Sequence, residues 1–273
     1  MASKTIIEES EWNGIPIKFY PKSHTYHVKP PGEGWRKVPS VTTVLNTVDG
    51  GKAGALAHWA ARLASETVAQ QLEPYTEKVL PSQVVPGIAE NARTAHTRKK
   101  DKAGDAGTQA HEWLEKYCYH LRDGTPKPRM PQDQGTKWIV ERGLKFFESH
   151  EVEPIHIETR MAGEVDGIWY AGTVDLVALV DGDLWMIDFK TSNHPSWTHV
   201  TQMAGYEWTR PGGQPSSAHC VLYIDLKSTA RVAKGQSPPY WACTYPINRG
   251  IMQSWSNSLK MYQSIKDVKE VLK

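Results

Sequence analysis

The chain has 273 residues, a formal net charge of +2, and 39% hydrophobic residues that include 11 Trp and 11 Tyr. This length and apolar content predict a globular protein with a substantial core, built as one large domain or two small ones. The mild net charge does not by itself indicate a nucleic-acid binder.

The cysteines, the N-terminus and the lack of long apolar runs indicate the expected cellular compartment. Cys118, Cys220 and Cys243 are far apart and odd in number, which fits neither a disulfide framework nor a paired zinc site and favours a reducing cytosol. The first twelve residues contain three glutamates and no apolar core, which argues against a secretory or mitochondrial presequence. No apolar run reaches the roughly 18 residues of a membrane span.

The first third of the chain predicts a hairpin and a long helix. Residues 15–45 alternate like a strand on each side of a Pro- and Gly-rich turn at 30–34, which predicts a small N-terminal hairpin. Apolar residues recur at helical spacing over 53–71. Pro81, Pro86 and Gly87 then interrupt the pattern.

The next segment is basic and is followed by a second helix. The basic residues are Arg93, Arg98, Lys99, Lys100 and Lys102. Such a run is usually a solvated helix face, and a track for a phosphate backbone is the alternative. An apolar stripe then predicts a helix from an N-cap at Asp105 to Gly124.

The rest of the chain alternates strands and helices. The predicted helices cover 133–149, 197–209 and 249–271, and the predicted strands cover 154–162, 173–180, 184–190, 219–227 and 240–246. The helix at 197–209 is long enough to be a right-handed crossover between parallel strands. This order predicts a mixed α/β sheet.

The segment GTVDLVALVDGDLWMIDFKTS, residues 172–192, places charges inside an apolar hairpin. A two-residue turn at Asp181–Gly182 sets Asp175 opposite Asp188, whereas a turn one residue later sets it opposite Lys190. Side chains alternate with period two, so the three charges share one face in either register. Adjacent carboxylates repel each other unless a cation lies between them, and oxygen ligands of this type suit Mg²⁺ or Mn²⁺. The alternative is a purely structural ion pair between Lys190 and one aspartate at the end of a strand, with the other aspartate solvated.

Together these motifs resemble a known family. GTVD precedes DFK by thirteen residues, QMAGY follows on the next helix, and AGTQAH precedes both. The set is similar to the RecB-like branch of the PD-(D/E)xK nucleases, which includes CRISPR-associated RecB-like exonucleases, phage-encoded relatives and the mitochondrial genome maintenance exonuclease. The resemblance covers residues 104–227 and extends toward SVTTVL and HWAARLASE. It implies a restriction-endonuclease-like αβββαβ core in 104–273, after an N-terminal hairpin and helical elaboration in 1–103 that could arch over the site and guide DNA.

The resemblance also implies roles for individual residues. The metal would be held by Asp175, Asp188, His111 and the main-chain carbonyl of Phe189, with Lys190 as the catalytic lysine. A lone histidine beside an apolar stripe is more often a core residue, but the position of His111 in AGTQAH favours a ligand.

Three further residues match or extend this set. Gln202 and Tyr206 match the QxxxY element of the family, and their i, i+4 spacing places both on one helix face. Glu158, on the preceding strand, is a further acidic candidate, with a solvent-facing strand residue as the alternative. Three scattered cysteines cannot supply the four ligands of the iron–sulfur cluster found in many CRISPR-associated members, so no cluster is predicted.

The predicted function is a Mg²⁺- or Mn²⁺-dependent DNA exonuclease. Lys190 would position the water that attacks phosphorus in line, and the products would carry 5′-phosphates. The imidazole ligand makes Mn²⁺ a strong competitor to Mg²⁺. The preferred substrate is single-stranded DNA with a free end, and Trp35 or Trp59 would be available to stack on its bases.

The alternatives are a structure-selective endonuclease or resolvase and a non-catalytic DNA-end binding protein. DGGKAG lacks the residues of a phosphate-binding loop, so any helicase or recombination motor would be a separate chain. A cytoplasmic location in a bacterial or phage-infected cell is expected, with no membrane partner.

Overall fold

The computed structural model describes residues 6–49, 52–76, 78, 80, 82–191, 195–210, 216–224, 240–246 and 248–272. The chain forms two compact units, one of Met1–Val48 with Ala110–Lys273 and one of Asp49–Gln109. This division differs from the boundary expected between residues 103 and 104, because the N-terminal sheet belongs to the same unit as the second half of the chain.

The N-terminal region is a four-stranded antiparallel sheet rather than a single hairpin. Its strands, in spatial order, are β1 (Glu8–Trp12), β2 (Ile15–Tyr20), β3 (Thr25–Val28) and β4 (Arg36–Val38). The predicted turn at 30–34 does join two paired strands, β3 and β4. The pairing of β1 with β2 was not predicted, although Asn13–Gly14 is a strong two-residue turn signal, and both residues adopt positive φ, 53° and 77°.

The second sheet has five strands in the order β5-β6-β7-β8-β9. Their bounds are β5 Val152–Val165, β6 Ile168–Val180, β7 Asp183–Lys190, β8 Ala218–Tyr223 and β9 Trp241–Tyr245. Strands β7 and β8 are parallel, and the other pairs are antiparallel. The predicted mixed sheet is therefore confirmed. The last residues of the predicted strand at 219–227 lie outside the described residues.

The helices confirm most of the expected elements. Their bounds are α1 Val41–Val48, α2 Lys52–Leu72, α3 Val85–Asp123, α4 Gln134–Ser149, α5 Trp197–Glu207 and α6 Arg249–Val271. Helix α5 is the expected crossover between β7 and β8. Helix α1 was not predicted: Ser40 caps it by accepting a hydrogen bond from the Thr43 amide at 3.0 Å.

Helix α3 corrects the prediction of a helix that begins at Asp105. It is one helix of 39 residues, and Asp105 lies in its interior rather than at an N-cap. Residues 88–102 are rich in Ala, Lys and Arg, which are strong helix formers, and this outweighs the cost of about 1 kcal/mol for Gly104. Pro86 fits because the first turn of a helix has no intrahelical partner for its amides. The expected end is confirmed, since the Gly124 amide donates to the His120 carbonyl at 3.1 Å. Pro81 lies outside the described residues.

The core of the first unit lies on both sides of the five-stranded sheet. One face buries Met186 against Met203 of α5 and Trp255 of α6, together with α1. On the other face α4 meets α3 closely, because a Cβ at Gly143 would lie 2.8 Å from Leu114 Cδ2. Within this unit the N-terminal sheet packs on β6, where Tyr26 and Thr173 are hydrogen-bonded at 2.9 Å. The mixed sheet is thus flanked by helices, as predicted.

None of the described helices combines the length and the apolar composition needed to cross a bilayer.

Candidate metal centre

The β6–β7 hairpin sets the register of the predicted site. Val180 pairs with Asp183, and Asp181 and Gly182 form the turn with φ of 52° and 87°. The earlier of the two predicted turns is therefore correct. The ladder ends at Leu176 and Ile187. Beyond it the strands separate, and the Asp175 carboxylate accepts a hydrogen bond from the Phe189 amide at 2.7 Å.

Asp188 and Lys190 form a close pair on β7. Lys190 Nζ lies 2.8 Å from Asp188 Oδ1 and 2.6 Å from Oδ2. Asp188 is only 1% exposed. A buried carboxylate of this kind is costly unless it is paired and hydrogen-bonded. The hairpin therefore holds one buried ion pair beside the second carboxylate, Asp175.

The predicted QxxxY element contacts this pair. Gln202 Nε2 donates to Asp188 Oδ1 at 2.9 Å and lies 3.1 Å from the Tyr206 hydroxyl. Both side chains are buried on α5. Tyr206 also explains the glycine of GTVD, because a Cβ at Gly172 would lie 2.7 Å from its ring. The expectation that Gln202 and Tyr206 face the same site is met by these contacts.

The candidate ligand atoms converge from three elements. One atom each from His111 of α3, Glu158 of β5 and Asp175 of β6 lie within 4.8 Å of one another, as a metal ion would require. His111 Nε2 lies 3.7 Å from Asp175 Oδ2 and 2.7 Å from the Phe189 carbonyl oxygen, to which it donates. The structure thus brings together Glu158, His111, Asp175 and the Phe189 carbonyl, while Asp188 is engaged by Lys190 and Gln202.

Glu158 occupies an unusual backbone position. Its φ is 44°, in the left-handed region that residues other than glycine seldom adopt. The pairing of β5 with β6 also shifts register between Pro154 and His156, four and two residues before it. Bulges and strained residues of this kind re-aim side chains and occur often at functional sites. The local backbone therefore turns the Glu158 carboxylate toward Asp175.

Burial and neighbouring carboxylates raise the pKa values of two acidic residues in the site. Burial raises the pKa of Glu158 to about 8, and the charges of Asp175 and Glu115 add to the shift. Burial also raises the pKa of Asp188, although Lys190 opposes that rise. Such crowding of negative charge is the arrangement that a bound cation relieves.

The pKa of Lys190 is raised as well. Burial lowers it, but the nearby carboxylates of Asp188 and Asp175 outweigh burial. The ammonium group is therefore charged at neutral pH. It can donate hydrogen bonds but cannot accept a proton.

Glu115 is a neighbour of the site that the sequence prediction missed. Burial raises its pKa, Glu112 adds to this, and the charges of His111 and Asp175 act on it in opposite directions. The sequence did contain an indication of this position. Glu115 follows His111 by four residues on the same helix, so both lie on one helix face.

The predicted DNA-binding residues belong to the second unit and are described within it. Arg93 forms an ion pair with Glu90 at 2.8 Å, and Arg98 donates to the Asn91 carbonyl at 2.8 Å. Lys99, Lys100 and Lys102 are exposed on α3. This is the geometry of a solvated helix face, and binding of DNA there stays a prediction.

The cysteines are free thiols, with Cys118 and Cys220 buried and Cys243 partly buried. Burial raises the pKa of Cys118 and of Cys220 to about 12. Thiols with such a high pKa are inert rather than reactive.

Comparisons with known proteins add little to this geometry. No protein-family model matches the chain, and no curated protein matches it. One similar solved structure is the "Crystal structure of SSO0001", which is 14% identical over 72% of this chain and 84% of that chain, with a TM-score of 0.34. A likeness of this degree carries no conclusion about function.

Proposed function

We propose that the chain is a metal-dependent DNA exonuclease of the RecB-like branch of the PD-(D/E)xK superfamily. The observation that carries the proposal is the convergence of His111, Glu158 and Asp175 beside the buried pair of Asp188 and Lys190. The order α3, β5, β6, β7, α5, β8, with α4 inserted after α3, agrees with the αβββαβ core that the sequence resemblance implies.

The donor set fits Mg²⁺ or Mn²⁺. Carboxylate and carbonyl oxygens are hard ligands that both ions accept, and the imidazole of His111 favours Mn²⁺. In the structure His111 Nε2 donates to the Phe189 carbonyl, so a bound ion would replace this hydrogen bond, with the imidazole proton on Nδ1. His111, Glu158, Asp175 and the Phe189 carbonyl would hold the ion, and Asp188, which contacts Lys190 and Gln202, would lie beside it. A bound divalent ion would polarise the phosphate and stabilise the leaving 3′ oxygen.

Lys190 has a defined part in this proposal. Because its pKa is raised, the ammonium is a hydrogen-bond donor rather than a general base. It donates to Asp188 Oδ1 and lies 2.6 Å from Oδ2 in an ion pair, so its position is fixed before substrate binds. A fixed cation of this kind would orient the attacking water or stabilise the negative charge that develops on phosphorus.

Gln202 and Tyr206 serve the same centre as positioning residues. Gln202 donates to Asp188 Oδ1 and so restricts the rotation of the carboxylate that holds Lys190. The Tyr206 hydroxyl and the close packing of its ring on Gly172 fix Gln202 in turn. Both residues are buried and act through Asp188.

The substrate and the cellular setting are further parts of the proposal. The resemblance favours a single strand with a free end and 5′-phosphate products, in the cytoplasm of a bacterial or phage-infected cell. A separate helicase or recombination protein would supply any motor. The two alternatives are a structure-selective endonuclease with the same core and a non-catalytic DNA-end binding protein, and the paired Asp188 and Lys190 argue against the second.

The test compares three substrates at fixed salt with Mg²⁺ or Mn²⁺: a linear single strand, its covalently closed circle and a blunt duplex. We expect rapid degradation of the linear strand and little of the other two, with products ending in 5′-phosphate. An Asp188→Asn protein, purified in the same way, serves as the inactive control. Equal rates on circle and linear strand would favour the endonuclease, and no cleavage of any substrate with either metal would favour the binding protein.

A further inference from the structure

The first unit contains a cavity of about 820 Å³ outside the metal centre. It is lined by β4 and the start of β3, by the turn between β5 and β6, and by the C-terminal half of α6. None of the metal-centre residues lines it. The volume lies within the range of about 300–1,000 Å³ that is usual for ligand sites.

The described lining of this cavity is cationic. Arg36, Lys37 and Lys266 contribute positive charges. The lining also contains one carboxylate, Asp166, which lies 2.7 Å from Lys260 in an ion pair that is more than half exposed on each side and is therefore weak. Arg36 lies 3.3 Å from Glu33, and this pair is more than one-third exposed on each side, so it is weak. An excess of positive charge therefore remains for an anionic ligand.

Aromatic side chains lie among these cations. Trp169 and Tyr262 line the cavity and are partly exposed. The Arg36 guanidinium lies 5.6 Å from the centre of the Trp169 ring. Cationic grooves with aromatic faces are typical of proteins that bind single-stranded nucleic acid, because phosphates pair with the cations and unpaired bases stack on the rings. A duplex hides the faces of its bases and cannot stack in this way.

Strand β6 connects the cavity with the metal centre. Trp169 lies near the start of β6, and Asp175 lies six residues further along the same strand. At a rise of about 3.3 Å per residue, the two positions are roughly 20 Å apart. A strand of several nucleotides could therefore occupy both sites, whereas a dinucleotide could not.

We propose that this cavity binds a segment of the single-stranded DNA substrate at a distance from the bond that is cut. The inference rests on the proposed nuclease function and deepens it. The cavity holds phosphates through Lys37, Lys266 and Arg36 and bases through Trp169 and Tyr262. Its contribution is to affinity for long strands and not to the chemical step.

The test is a charge-reversal pair, Lys37→Glu with Lys266→Glu. The matched control is Lys29→Glu with Lys78→Glu, which makes the same change of net charge at exposed residues outside the cavity lining. Binding of a labelled strand of about 20 nucleotides, longer than the site sizes of about 4–16 nucleotides usual for such proteins, is measured by fluorescence anisotropy in EDTA. Cleavage of that strand and of a dinucleotide is then measured with Mn²⁺.

We expect the cavity variant to bind the long strand roughly tenfold or more weakly, with a reduced salt dependence, and the control to bind like wild type. Hydrolysis of the dinucleotide is unchanged. Wild-type binding and cleavage of the long strand by the cavity variant would overturn the inference and leave the nuclease proposal intact. An equal loss on the dinucleotide would also overturn it, because the effect would then arise at the metal centre.

Two further outcomes separate the proposals. If wild type cleaves no DNA with either metal, the nuclease function fails, and the anisotropy measurement alone decides whether the cavity binds a strand. Inorganic phosphate and a mononucleotide are added as competitors. Displacement of the long strand by either of them at equal concentration would assign the cavity to a small anion and overturn the inference.

Discussion

The metal centre and the cationic cavity both include residues of β6, yet they carry charge in opposite ways. At the metal centre Asp188 is buried and held by Lys190 and Gln202. In the cavity Lys37 and Lys266 are exposed and held by nothing that the structure describes. A buried charge requires specific partners, whereas an exposed charge is stable almost anywhere.

This difference predicts two kinds of mutational effect. A change at the metal centre removes both a chemical group and the partner of a buried charge, so it alters catalysis and stability together. A change in the cavity alters only the affinity for long substrates.

The largest effect is expected at Asp188 and Lys190. Asp188→Asn and Lys190→Met should each reduce cleavage by about 10³-fold or more, because each removes an interaction with the reacting groups. Each single change should also destabilise the protein, since it leaves the other charge without its partner, and the double variant should recover part of that loss. Thermal unfolding of wild type, both single variants and the double variant, without metal, measures these changes in stability.

Asp183→Asn is the control for this pair, because Asp183 is exposed at the start of the same strand. It should leave both activity and stability within error of wild type. Near wild-type cleavage by Asp188→Asn would refute the assignment of the site.

The second prediction concerns Glu158 and pH. Its pKa is about 8 in the folded protein, against an ordinary value of 4.5. Below pH 4.5 both states carry the proton, and between these values the unfolded state releases a proton that the folded state keeps. Stability of the metal-free protein should therefore fall as pH rises from about 4.5 to 8.

Glu158→Gln should flatten this part of the pH profile, and Glu153→Gln, an exposed change on the same strand, should not. Because a metal ligand must be deprotonated, the affinity for Mn²⁺ should rise with pH over the same range in wild type. Calorimetric titration at several pH values measures this. An unchanged profile and unchanged Mn²⁺ affinity in Glu158→Gln would remove the residue from the site.

The contrast between the two sites also explains what the sequence could predict. Asp175, Asp188 and Lys190 were identified because charges inside an apolar strand pattern need an explanation. The sequence left two hairpin turns open, and both placed the three charges on one face; the structure selects the turn at Asp181–Gly182. The cavity was not predicted, because its cations come from β4 and α6, which only tertiary packing brings together.

Local patterns also failed where another preference outweighed them. Pro86 and Gly87 suggested an interruption and Asp105 an N-cap, yet α3 begins at Val85 and continues through Gly104 and Asp105, because helix formers dominate the segment. The inward direction of Glu158 depends on a bulge and a positive φ, which no spacing of residue types encodes. The sequence could therefore identify Glu158 as a candidate ligand but could not predict the direction of its side chain.

A moderate effect is expected at the QxxxY element. Gln202→Ala removes the hydrogen bond to Asp188 and leaves that carboxylate held by Lys190 alone, so kcat should fall about tenfold with little change in KM. Tyr206→Phe keeps the ring over Gly172 and removes only the hydroxyl, so it should cost less than threefold. A larger loss from Tyr206→Phe than from Gln202→Ala would contradict the order of contacts that runs from Tyr206 through Gln202 to Asp188.

The smallest effect is expected in the basic segment of α3. Lys99 and Lys100 are exposed, and Arg93 is already paired with Glu90. If the segment contacts DNA only through its charge, Lys99→Ala with Lys100→Ala should weaken binding of a long strand by about two- to threefold and lower the salt dependence slightly. Arg93→Ala should have less effect, because Arg93 already donates to both carboxylate oxygens of Glu90. Binding is measured by fluorescence anisotropy over a range of salt concentrations, and the cavity variant is measured in the same way for comparison. A loss here as large as that of the cavity variant would make α3 the principal DNA contact and reverse the ranking of the two surfaces.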